Sequence, residues 1–218
     1  MKLFEHTLFI NLDERTDRQE HVVAELGKIG IHDAVRVRAF KHPRGSLGCT
    51  LSHIQCLEIA IQQDYEHVFV CEDDITFTNP ELLLQNISKF DTLSLEWDVL
   101  ILGGNVCPPF LRAPHIDCCI RVLNCQTTTG YIVRRHYYNK LLNNFRNTAT
   151  KMMEGDGRIA IDIGWKQLQP VDNWFMIVPA TVTQYQNYSD IEKRVVDYNH
   201  LMLDIEKRWL FARNSSSS

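Results

Sequence analysis

The chain has 218 residues, 44% hydrophobic and 23% charged, enough for one ordinary globular domain with a substantial core. Its net charge of -4 gives no support to a nucleic-acid binder, which would normally show a basic face, so small-molecule chemistry fits better. No apolar run approaches the ~20 residues that cross a bilayer. The first ten residues carry Lys2, Glu5 and His6 in place of a signal-peptide core, so the chain reads as soluble, unexported and cytoplasmic. A catalytic piece of a longer or membrane-anchored protein would read the same way.

Residues 8–12 (LFINL) form a buried strand, and Asp13 opens a polar turn. From Asp17 the apolar positions Val22, Val23, Leu26 and Ile29 follow helical spacing, with Gly27 and Gly30 marking the helix end. The turn between them, NLDERTDR, sets Asn11, Arg15 and Arg18 just past a strand and at the start of a helix, where free backbone amides favour an anion. The two arginines are three apart and share a helical face, suited to clasping a diphosphate or packing on a base. Pairing with Asp13, Glu14 and Asp17 on the surface is the competing role.

A second strand is predicted over residues 34–39, followed by a loop over 42–48 rich in Pro, Gly and Ser. Leu51, Ile54, Leu57 and Ile61 then recur at helical spacing, in a helix beginning near Gly48 with Ser52 and His53 in its first turn. Their alternatives are a capping serine and a packed histidine, or contacts to phosphate and sugar.

Residues 68–77 (VFVCEDDITF) are an apolar strand that stops in three adjacent carboxylates, Glu72, Asp73 and Asp74. Charge is expensive in a core, so a parallel strand carries it at the end, where a ligand compensates it. In extended chain Glu72 and Asp74 point one way and Asp73 the other. That spacing suits one hard cation, Mg²⁺ or Mn²⁺, of the kind that holds a diphosphate; solvated acids in a turn are the alternative. Further strands are predicted over 98–102, 129–133 and 174–178, with helices over 135–145 and 195–211. Residues 214–218 read as a disordered tail, leaving 1–213 as one domain. Alternating strands and helices argue for an α/β fold with a mainly parallel sheet flanked by helices, whose ligands bind beyond the carboxyl ends of the strands.

The seven cysteines include no CxxC pair, which makes free thiols in a reducing compartment the default. Cys56 and Cys71 fall in apolar patterns and read as core. In an oxidising lumen, a disulfide among Cys107, Cys118, Cys119 and Cys125 would staple a loop, and the sequons at Asn86, Asn187 and Asn214 would come into play.

The order INLDERTDR, GSLGCTLSHIQCLEIA, VFVCEDDITF, then IDIGWKQL and SDIE, resembles glycosyltransferase family 25, the lipooligosaccharide and procollagen galactosyltransferase-like enzymes, over roughly residues 8–192. The most specific parts are GCTLSHI directly upstream of EDD and the INL-x-x-R-x-x-R opening. The resemblance implies a GT-A type (Rossmann-like) single domain, a UDP-linked nucleotide-sugar donor and transfer of a hexose with inversion to a hydroxyl of a glycan or hydroxylated protein acceptor. EDD stands in the place of that fold's DxD motif, with glutamate departing from its first position.

Residue chemistry agrees with this. Asp74 is the expected direct ligand of Mn²⁺ or Mg²⁺, with Glu72 binding the metal through water or hydrogen-bonding the ribose, and Asp73 close by. Inversion also needs a carboxylate within ~3 Å of the attacking hydroxyl. Asp162, a lone acid in the apolar RIAIDIGWKQL, is the first candidate, with Glu154, Asp156 and Asp172 as alternatives and a helix N-cap as its structural role. Gln184, Gln186, Ser189 and Asp190 form a polar loop that could close over the diphosphate. Two other classes share parts of this pattern. A metal-dependent nucleotidyltransferase or phosphohydrolase would need a second acid set and a phosphate-binding lysine loop, and no GxxxxGK occurs. An inactive scaffold would not need Glu72, Asp74, Arg15 and Arg18.

Overall fold

A computed structural model describes residues 2–156, 158–189 and 194–212. The tail expected over 214–218, and Asp190, lie outside the described residues.

Strand β1 (Thr7–Asn11) is buried along its whole length, as a continuous apolar run predicts. Helix α1 (Thr16–Lys28) buries Val22 and Leu26, with Ile29 just beyond its end, whereas Val23 faces solvent. Gly30, at φ +78°, turns the chain toward β2 (Val35–Arg38); Gly27 lies inside the helix. Helix α2 spans Gly45–Gln62, so it starts three residues before the expected Gly48, and Ser52 and His53 sit in its third turn. Gly48, which read as part of the loop, is there for close packing. A Cβ on Gly48 would stand 2.3 Å from the Phe40 carbonyl oxygen. Ahead of the helix, Arg44 donates to the Met152 and Asp156 carbonyls at 2.6 and 2.7 Å. Gly48→Ala should therefore lower stability by about 1–3 kcal/mol through overpacking, read as a lower urea midpoint at unchanged slope.

Next come β3 (His67–Glu72), β4 (Ile75–Phe77) and α3 (Pro80–Thr92), the last capped by the Asn79 side chain, which accepts from the Leu82 amide at 3.1 Å. Strand β5 (Val99–Val106) runs on through Gly103 and Gly104, past the expected end at 102. A short β6 (Cys119–Arg121) and a long β7 (Cys125–Arg134) follow. A 3₁₀ turn (Arg135–Tyr137) leads into α4 (Tyr138–Met153), and α5 (Ile161–Gly164) is a single turn. Then come β8 (Trp174–Ile177), β9 (Val182–Gln184), β10 (Asn187–Ser189) and β11 (Arg194–Val196).

The helix expected over 195–211 is instead β11 and two short helices, α6 (Asn199–Leu203) and α7 (Trp209–Ala212). Two features break it. Val195 is exposed, so the first apolar position of the pattern is not buried. Lys207, at φ +44° and buried, turns its ammonium back on the Leu201 and Asp204 carbonyls.

The central sheet has the order β2-β1-β3-β7-β5-β8-β6. β1 pairs parallel with β2 and β3, and β5 with β8, while β7 runs against β3 and β5, and β6 against β8. Five of the seven strands (β1, β2, β3, β5 and β8) therefore run one way, and the fold is mixed α/β with a mostly parallel sheet flanked by helices. Alternate residues feed two cores: Leu8, Val68 and Val70 pack under Leu57 of α2 and Leu141 of α4, while Phe9, Phe69 and Cys71 pack under Val22 of α1 and Leu83 of α3. Cys56 and Cys71 are fully buried as expected, and all seven cysteines are free thiols. Asn86 is buried, with its amide donating to the Val178 carbonyl, so that sequon is closed to modification in the folded chain. Among the described residues no helix is long and apolar enough to cross a membrane.

Candidate active site

The carboxyl ends of β1, β2, β3 and β5 meet the start of the opposed β7 at one edge of the sheet. A cleft of about 580 Å³ opens there, and Asn11, Arg15, Arg18, Ser52, His53, Glu72, Asp73, Asp74 and Asp162 all line it.

The acids do not follow strand alternation. β3 ends at Glu72 and the chain turns at Asp73 and Asp74 before β4, so the last two acids share a partner. Arg18 Nη1 donates to Asp73 Oδ1 at 2.9 Å and to Asp74 Oδ2 at 3.2 Å. Glu72 faces elsewhere, accepting from Thr128 Oγ1 at 2.5 Å with His53 Nε2 at 3.4 Å. β9 holds the turn in place: it pairs with β4, setting Gln184 opposite Ile75 and beside the cleft, and the Tyr185 amide donates to the Asp74 carbonyl at 2.6 Å.

Three carboxylates crowd against one guanidinium. Burial, then the Glu72 charge, push the Asp74 carboxyl up to about 8 against the pull of Arg18. Burial also raises Asp73, opposed by Arg18 and Asn11. For Glu72 burial acts upward too, but His53 and Thr128 outweigh it and hold the carboxyl below its ordinary range. Asp74 Oδ1 is buried without a hydrogen-bond partner. An orphaned carboxylate oxygen among excess negative charge fits a hard divalent cation, and Asp74 with Glu72 are the residues that would hold it.

The predicted first turn divides. Arg15 is spoken for by Asp17, which it contacts through Nε at 3.0 Å and Nη2 at 2.9 Å, pulling that carboxyl down to about 2. Arg18 faces the acids instead, and both guanidinia approach the Tyr188 carbonyl, at 3.5 and 3.2 Å. Asn11 is buried and connects elements: its amide donates to Asp73 Oδ2 at 2.8 Å and to the Arg15 carbonyl, and its oxygen accepts from Arg36. Ser52 spends its hydroxyl within the fold, donating to the Gly48 carbonyl at 2.7 Å and accepting from the Phe40 amide at 2.9 Å, so it shapes the cleft wall from behind.

Asp162 is not a helix N-cap; Ala160 holds that position in α5. Its Oδ2 accepts from the Thr127 amide at 3.0 Å, and burial raises its carboxyl above the ordinary range although that hydrogen bond opposes. Thr127 sits at φ +66°, a region that β-branched residues avoid, so Asp162 fastens a strained backbone at the cleft. The alternatives are elsewhere. Asp172 is held by Tyr137 and Lys140 at 2.6 Å each, Asp156 Oδ1 accepts the Arg158 amide, and neither these nor Glu154 line the cleft.

Sequence reasoning missed Cys49, Asn105, Thr127 and Thr128, which also line the cleft. Cys49 stood inside the GCTLSHI run and four residues before His53, a signal that could have been read. The threonines carried none, since only the reversal of β7 brings them to this edge.

Residues 42–103 match the family model of glycosyltransferase family 25 (LPS biosynthesis protein). No curated protein matches the chain. Solved structures similar to it include a glycosyltransferase involved in glycosylation of the major capsid of PBCV-1, at 14% identity and TM-score 0.41, covering 79% of this chain and 92% of that one. UDP-glucose pyrophosphorylase from Acinetobacter baumannii aligns at 12% identity and TM-score 0.48, covering 98% and 84%. A Drosophila galactosyltransferase 7 mutant, in complex with manganese, UDP-Gal and xylobiose, aligns at 12% identity and TM-score 0.38, covering 88% and 74%.

Proposed function

We propose that this protein is an inverting, metal-dependent glycosyltransferase of the GT-A type, moving a hexose, galactose or glucose, from a UDP-sugar to a hydroxyl of a glycan or protein acceptor. The observation that carries the reading is the buried, unpartnered Asp74 oxygen in an acid turn at the carboxyl edge of the sheet, with a separate buried carboxylate, Asp162, on the wall of the same cleft. The family match over residues 42–103, which includes the acid turn, supports it.

Asp74 and Glu72 would hold Mn²⁺ or Mg²⁺. When bound, the cation neutralises charge that develops on the diphosphate as the glycosidic bond breaks. Arg18 offers that leaving group a guanidinium already at the acid turn, and Thr128 and His53 fix the orientation of Glu72. Asp162 accepts the proton of the acceptor hydroxyl as it attacks the sugar carbon. Seven unpaired thiols suit work in the cytoplasm.

The test is a melting-temperature series with Mn²⁺, UDP and both, followed by a panel of UDP-hexoses assayed for donor hydrolysis and transfer. Joint stabilisation by cation and nucleotide, with turnover of one donor, is expected. Indifference to both would leave a scaffold; synthesis of a nucleotide sugar from a sugar phosphate without transfer would make it a nucleotidyltransferase. Arg18→Ala should weaken UDP binding by about 1.5–3 kcal/mol, the range for a hydrogen bond to a charged group. Calorimetry should read this as roughly a 10- to 100-fold higher Kd. An unchanged Kd would reduce Arg18 to a counter-ion of the acid turn.

A further inference from the structure

We propose that Cys49, His53 and Glu72 form a second cation site in the same cleft, selective for a borderline-soft divalent ion of the zinc class. Cys49 and His53 are four apart on α2 and project from one face, and the end of β3 brings Glu72 to them. One donor atom from each, the thiol sulfur, an imidazole nitrogen and a carboxylate oxygen, lie within 4.8 Å of one another. Zinc holds such donors at about 2.0–2.3 Å, which in a tetrahedron puts them roughly 3.3–3.7 Å apart. The His53 Nε2 to Glu72 Oε1 separation is already 3.4 Å.

Two further observations point to a ligand. His53 is fully buried, and its Nε2 makes no hydrogen bond of good geometry, its polar neighbour there being Glu72 Oε1 at 3.4 Å. Its other nitrogen, Nδ1, lies 2.8 Å from the buried Tyr131 hydroxyl, the kind of outer contact that fixes ring orientation and leaves Nε2 to bind metal. A sulfur, nitrogen and oxygen set favours zinc or cobalt over Mg²⁺, in contrast to the all-oxygen set of Asp74 and Glu72, with which this site shares Glu72. All three residues line the cleft. Binding converts the Cys49 thiol to a thiolate and releases its proton to solvent. The site does not depend on the transferase reading, because metal binding is measured without sugar or nucleotide.

The experiment titrates chelator-stripped protein with Co²⁺ and follows absorption. A near-ultraviolet thiolate-to-cobalt band that saturates at a single equivalent, and that Zn²⁺ abolishes by displacement, is expected. Cys49→Ser should remove the band, and Tyr131→Phe should weaken Co²⁺ binding by about 10–100-fold while keeping it. Asp74→Asn should retain the band at full intensity. No thiolate band in the wild type, a band that survives Cys49→Ser, or one lost with Asp74→Asn would overturn the proposal. Should Cys49→Ser fail to fold, alkylation of the wild type decides. Cys49 and Cys107 are the two cysteines that are not fully buried, so Zn²⁺ should protect Cys49 and leave Cys107 labelling unchanged, whereas equal labelling of Cys49 with and without Zn²⁺ would sink the site.

Discussion

Asp74→Asn should reduce metal-dependent sugar transfer by about 10³-fold or more, the equivalent of several kcal/mol of transition-state charge stabilisation, while the metal-free variant melts no lower than the wild type. The two halves of this result have one cause. Asp74 is buried beside Glu72 and Asp73 and shares a single guanidinium with Asp73, so ionising it in the metal-free fold puts more negative charge at this turn than the turn compensates. The amide cannot ionise and keeps an acceptor for Arg18. The same charge is what a cation needs.

The sign of the pH effect follows. The folded Asp74 carboxyl lies at about 8, above its ordinary 3.8, so the folded state binds the proton more tightly than the unfolded one. Its contribution is full at low pH and is lost as pH rises through that window. Metal-free wild type should therefore lose stability between about pH 5 and pH 8 more steeply than Asp74→Asn, in urea melts at both ends. Added Mn²⁺ should raise the wild-type melting point at the upper pH and leave the variant unmoved. Transfer by the variant at the wild-type rate would remove Asp74 from the site.

Much of this arrangement was legible in the sequence because parallel strands buried on both faces announce themselves. LFINL and VFVC are continuous apolar runs, and the polar residues that end them, Asn11 and the EDD acids, had to reach the open edge of the sheet. What followed the strand ends was not legible. Alternation put Asp73 on the far face, but it holds only while the chain stays extended, and the turn after Glu72 gives Asp73 and Asp74 one arginine. Gly45, Ser46 and Gly48 read as loop because glycine marks both turns and close contacts, and only the Phe40 carbonyl beside Gly48 separates the two. Ser52 looked like a ligand contact for a similar reason, since whether a hydroxyl is free depends on neighbours that arrive from other elements. Thr128 and Thr127 come from a strand whose direction no local pattern reveals.

Asp162→Asn should lower kcat by about 10²–10⁴-fold and leave Mn²⁺ and UDP affinity near normal, the signature of a general base that acts in the transition state. The structure sharpens this test, because Asp162 also supports the backbone through its Oδ2, which accepts the amide of Thr127, a residue held at φ +66°. Asparagine keeps an oxygen for that amide, so Asp162→Asn separates proton transfer from backbone support, whereas Asp162→Ala should lose both and melt lower, since strain of about 1–3 kcal/mol at Thr127 loses its fastening. The wild-type pH profile supplies an independent reading. Burial, aided by the nearby Glu72 charge, raises the Asp162 carboxyl above its ordinary 3.8. The base is active only when ionised, so the acid limb of kcat/KM should fall at higher pH than an exposed aspartate would give, and it should vanish in the residual activity of Asp162→Asn. If Asp162→Asn transfers at the wild-type rate while Asp162→Ala melts lower, Asp162 is a fastener for Thr127 and the base is another group of the cleft.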